Sequence, residues 1–156
     1  MPNTQAVGVA YADPEFSSVS VTGAVSAASA SVTGAVSAGS VSATTVTASG
    51  SLVVASATVA AAGTNQGTAA AVAAGFTLVT AADGTKGVIL PAASAGLVVI
   101  IKNADAANAI LKVYPATGDG INAVAVNSSY DMAAKTSMLL VAYDATTWYT
   151  VPLLAS

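Results

Sequence analysis

Seven acids and four lysines carry all the side-chain charge of this chain, so their spacing decides what chemistry it could support. There is no His, Cys or Arg, which removes the usual general base, thiol nucleophile and transition-metal ligands together. Asp119-Gly120, within ATGDGIN, resembles the opening of a calcium loop. The spaced Asp/Asn ligands and closing Glu of such a loop are missing, and the pair reads as an Asp-Gly turn. Asp105 and Asp144 fall where hairpin turns are expected, with no neighbouring acid to complete an acid/base pair. Trp148 and Tyr149 are adjacent in a strand pattern, so one should enter the core and the other face solvent or a neighbouring subunit. Packing is the stronger reading for them than a sugar-stacking platform. Asn127-Ser-Ser129 fits the N-glycosylation pattern, which matters only in a secretory pathway. No catalytic, cofactor-binding or metal-ligating residue is assigned, and an enzyme is the least favoured class. The only docking residues singled out are Tyr11 and Phe16, in an arm over residues 1–16 that could add to a partner surface by strand pairing or remain a plain tail.

Composition narrows the partners. A net charge of −3 offers nothing to neutralise a phosphate backbone, so no nucleic acid is expected. Mean hydropathy is high, +0.73, but it comes from Ala and Val interleaved with Ser, Thr and Gly. The apolar runs, such as Ala69–Ala74 and Leu97–Ile101, fall far short of the roughly 18 to 20 residues a spanning helix needs, so no membrane is expected. Met-Pro-Asn-Thr-Gln lacks the basic and apolar regions of a signal peptide, and a soluble protein made in the cytoplasm is expected.

The elements around these residues divide unequally. Nothing between Phe16 and Ala82 is charged, and residues 17–63 use only Val, Leu, Ala, Gly, Ser and Thr. SVTGAVSA stands at Ser20–Ala27 and again at Ser31–Ala38, eleven residues on, with a degenerate continuation from Ser40. Val, Thr, Ser and Gly are poor helix residues, and β-branched residues alternating with small polar ones read as strand. Side chains on a strand alternate with period two, so an odd repeat cannot lie in one flat strand; a strand-plus-turn unit or wound ribbon fits. Uncharged β-prone edges need cover, and sister chains supply it most simply. Residues 17–63 are therefore expected to form a repetitive β stalk, intertwined in an oligomer. Thr22, Thr33 and Thr44 keep the eleven-residue step, which leaves a Thr-ranked ice-binding or adhesive surface as a weak alternative.

Residues 64–156 read as a small β-sandwich or barrel, making the whole chain all-β. Strands are expected at 74–80, 87–90, 97–103, 109–114, 137–143 and 147–151, with turns at Asp83-Gly84, Asn103–Asn108, Asp119-Gly120 and Asp144–Thr146. The continuous run Leu97–Ile101 predicts a central strand buried on both faces. Residues 68–75 are Ala-rich and could form a helical turn.

The repeats, SVTGAVSA followed by SVTGAVSAGSVSATTVTASG, resemble those of trimeric phage fibres and head fibres. Lys86–Asn122, KGVILPAASAGLVVIIKNADAANAILKVYPATGDGIN, and Leu139–Val151, LLVAYDATTWYTV, resemble a small domain recurring among virion proteins of tailed phages. The resemblance implies a structural protein on the capsid surface, a homotrimer that decorates or cements it, with the major capsid protein as its other partner. A tail fibre or other tail appendage binding host glycans is the alternative.

Overall fold

The computed structural model of the chain describes residues 22–26, 28–73 and 75–151. The chain divides into two units, residues 1–47 and 48–156.

In the first unit, every described residue is exposed and none lies in a strand. The eleven-residue repeat nonetheless has a conformational signature. Bends fall at Thr22, Thr33 and Thr44, and again at Ala28 and Gly39, each set stepping by eleven. The threonines that could have formed a flat rank thus mark turns of the path. The strands expected here are absent for a physical reason: a strand exists through its ladder partner, and one copy of this segment supplies none.

The second unit is all-β, with no α-helix among the described residues. Its strands are β1 Ser56–Ala60, β2 Ala70–Ala71, β3 Gly75–Thr80, β4 Gly87–Ile89, β5 Val98–Asn103, β6 Leu111–Tyr114, β7 Gly120–Ile121, β8 Tyr130–Met132, β9 Ser137–Ala142 and β10 Thr147–Val151. A 3-10 turn at Gln66–Thr68 precedes β2 in the Ala-rich stretch. β1 falls within the expected stalk but belongs to this unit, because it pairs with β3 from Ser56↔Phe76 to Ala60↔Thr80.

From β1 to β9 successive strands alternate between two sheets. One, sheet A, has the order β1-β3-β5-β9-β10-β7; the other, sheet B, has β2-β4-β6-β8. β1, β3 and β5 stack in parallel, as do β2, β4 and β6, so the chain winds through rungs in a β-solenoid-like manner. Parallel neighbours need a crossover, and here each crossover is itself a strand of the opposite sheet. Gly75 opens β3 with φ +108°, and a Cβ there would lie 2.4 Å from the Ala55 carbonyl oxygen, so only glycine lets β3 enter against β1. The winding ends where β8 and β9 reverse direction, antiparallel to β6 and β5, and β10 returns along β9. Such an atypical last repeat closes one end of the stack.

Inner-facing residues of both sheets form one core, with Val79, Val99, Ile101, Leu140 and Trp148 from sheet A and Val88, Leu111, Val113 and Met132 from sheet B. Trp148 is fully buried and its indole nitrogen finds no acceptor among the described residues. β5 is central as expected but buried on one face only: Val99, Ile101 and Asn103 point inward, while Val98 is 43% exposed.

Candidate association surfaces

The acids singled out by sequence are used by the fold. Asp144 does occupy the β9–β10 hairpin, where its carboxylate accepts the Thr146 N–H at 2.8 Å. That bond, helped by the Thr146 and Thr147 hydroxyls and opposed by desolvation, holds its carboxyl below the usual range. Asp105 is not in a hairpin, because β5 and β6 lie in different sheets; it is buried and accepts the Ala109 N–H at 3.1 Å. Asp119-Gly120 is not the turn either. The chain reverses at Thr117-Gly118, Gly120 already belongs to β7, and the buried Asp119 carboxylate accepts the Ala93 N–H at 2.8 Å. Asn127 of the glycosylation pattern stands at φ 64° with its side-chain oxygen accepting the Gly118 N–H at 2.7 Å. A cavity of about 150 Å³ between β8 and β9 is lined by Tyr130, Asp131, Met132 and Met138 among others, but the Asp131 carboxylate is already engaged by Lys112. No group of three or more acid, His or Cys side chains that could hold a metal occurs among the described residues. Tyr11 and Phe16 lie outside the described residues.

What the structure assembles instead is a surface. The outward residues of sheet A form rows across the strands. Val98, Val141 and Tyr149 make one row, and Phe76, Ile100, Leu139 and Val151 make the next. Phe76 is 37% exposed, Tyr149 40% and Val151 53%. Tyr143, just past β9, stands edge-on to Tyr149 at 6.1 Å between ring centres. A third row carries the only charge on these strands' outward positions, Lys102, between Leu78 and Ser137. Its ammonium is drawn to the margin, where it donates to the Lys135 carbonyl.

Sheet B contrasts with this. Its outward face satisfies itself: Lys112 grips both oxygens of Asp131 at 2.8 Å, and the Tyr114 ring lies over Gly87 while its hydroxyl donates to the Thr64 carbonyl at 3.2 Å. Sheet B thus carries a paired ionic group and a bonded tyrosine on its outward face, with Ile89 and Ala71 beside Tyr114, closer to what a solvated sheet requires. In sheet A two outward rows are apolar across β3, β5, β9 and β10, while Ser56 and Thr58 of β1 and the Lys102–Ser137 row are polar.

Trp148 and Tyr149 divide as the strand period dictates, core and surface. The sheet A face itself escapes a reading of single residues, because its rows join strands far apart in sequence. The signal that was present is the unbroken apolar run Leu97–Ile101, which asks for burial on two faces when one chain covers only one. Val25, Val32, Val36, Val41 and Val46 of the first unit are exposed as well.

No family model matches this chain, and comparisons with curated proteins and with solved structures find no match. No helix among the described residues is long and apolar enough to cross a membrane.

Proposed function

We propose that this chain is a structural protein of a phage particle, a homotrimer that decorates or cements the capsid. The observation that carries the reading is the repeat. Its bends return every eleven residues, it holds no charge, and its valines at 25, 32, 36, 41 and 46 are 61–75% exposed in a single copy. A segment so regular and so uncovered is built to be completed by identical neighbours, as in fibre-like assemblies. The self-contained second unit then serves as the part projected from, or seated on, the particle. Stalk and domain divide the labour between assembly and presentation, with no chemistry required of either.

The arm over residues 1–16 is assigned to docking on the major capsid protein, with Tyr11 and Phe16 as anchors. Replacing both by alanine should weaken attachment to particles while leaving the self-association unchanged; undiminished attachment would remove the arm from the account.

One observation favours the second reading, a tail appendage binding host glycans. Tyr143, 75% exposed, and Tyr149 form an aromatic pair on which a sugar ring could stack. Antibody labelling of purified particles separates the two. Gold on the capsid shell is the expected result, gold on the tail would transfer the protein to the second reading, and unlabelled particles would contradict a virion role.

A further inference from the structure

We infer that the outward face of sheet A is the surface through which copies of this chain meet. This rests on the homo-oligomeric reading above and assigns it an interface.

The face is composed for a dry contact. Phe76, Ile100, Leu139 and Val151 lie in one row, in register across β3, β5, β9 and β10. Strand residues that alternate in and out are normally polar on the free side, and sheet B keeps closer to that rule with its Lys112–Asp131 pair. Sheet A breaks it on four successive strands, so the departure is not one stray residue. Single exposed apolar residues are ordinary; a contiguous band of them marks an interaction site.

Three arguments select a second copy as the occupant. The first is charge. Lys102 is the only ionic group on these outward strand positions, and its bond to the Lys135 carbonyl holds it at the margin. An anionic membrane surface or a nucleic acid would gain almost nothing here, whereas an identical neutral face meets it without repulsion. The second is area. Four strands at about 4.8 Å, each about six residues long at about 3.3 Å, give a footprint of roughly 20 by 20 Å, or about 400 Å². A standard interface takes about 800 Å² from each partner, so this face is insufficient by itself. The first unit, separately, exposes valines of its own within residues 22–47. A second copy is the partner that brings a counterpart for both surfaces in equal number. The third is the sequence itself. Leu97–Ile101 is written as a strand covered on both sides, yet β5 covers only one within the chain.

The test uses the full chain. Val98→Glu and the double variant Tyr149→Lys with Val151→Lys place charge at outward positions of sheet A. Val126→Lys, at a residue 58% exposed but off the sheet, serves as the control. Circular dichroism and the thermal transition report whether each variant folds, and light scattering gives its mass. The expected result is that both sheet A variants fold but dissociate, with self-association weakened at least about 100-fold, while Val126→Lys assembles normally. If the unsubstituted chain assembles and folded sheet A variants assemble equally well, the interface lies elsewhere and this inference fails while the oligomer stands. A monomeric unsubstituted chain overturns both. Intact assembly with loss of binding to host-surface glycan would show the face to be a sugar platform, which also overturns the inference.

Discussion

Asn103 joins three segments at the end of β5. Its side-chain nitrogen lies within hydrogen-bonding distance of the carbonyls of Ala109 (3.0 Å), Met132 (3.4 Å) and Ala133 (3.3 Å), and its oxygen accepts the Asp105 N–H at 3.2 Å. The residue is fully buried, so Asn103→Ala strands several backbone groups without water. We expect a loss of about 2–4 kcal/mol in urea unfolding, from unsatisfied groups worth about 1–3 kcal/mol each. Asp83 works at the surface instead. It accepts the backbone N–H groups of Lys86 and Thr85, both at 2.9 Å, and these bonds hold its carboxyl well below the usual carboxylate range. The Thr146 N–H acts likewise on Asp144. A depressed folded-state pKa gives stability that is present above the unfolded value, about 3.9, and is lost as pH falls through the folded value. The melting temperature should therefore fall as pH drops below about 4, and less steeply in Asp83→Asn. An unchanged slope in that variant would show that the Asp83 carboxylate does not contribute to the acid dependence of stability.

Among elements, β4 and β6 make a close contact. A Cβ on Gly87 would lie 2.6 Å from the Lys112 carbonyl oxygen and 2.7 Å from the Tyr114 ring. Gly87→Ala should cost about 1–3 kcal/mol by overpacking, whereas Gly67→Ala, whose Cβ would meet only the Asn65 side chain at 3.6 Å, should leave the melting temperature nearly unchanged. The strands at β3, β4, β5, β6, β9 and β10 were legible in sequence because each is rich in β-branched, large apolar or aromatic residues, alternating or in an unbroken run, and stops near a turn signal. β2 and β7, two residues each, are too short to show a period, and β1, SATVA, was hidden in a repetitive segment of the same composition. Parallel stacking was not legible because alternation looks the same whichever way the neighbouring strand runs. Asp119 misled for a related reason: Asp-Gly is a turn signal, but here the preceding Thr117-Gly118 makes the turn and the carboxylate is spent on Ala93. The candidate surface was half legible, as an apolar run without a second cover, and its extent emerged only once strand register joined Phe76 to Val151 through β5 and β9.

At the scale of the molecule, two facts point the same way. The first unit exposes a regular, uncharged, valine-bearing repeat, and the second exposes an apolar band on one sheet while its other sheet carries a paired ionic group. Neither surface suits a chain living alone in water, since uncovered β-prone segments without charged gatekeepers aggregate. Ordered self-association resolves both, and it is the property on which the proposed virion role depends. The most direct test is the absolute mass of the purified full chain by light scattering, over a dilution series in the micromolar range. The account predicts a stable species at three times the 14.9 kDa chain mass. A folded species at 14.9 kDa throughout the series would contradict it.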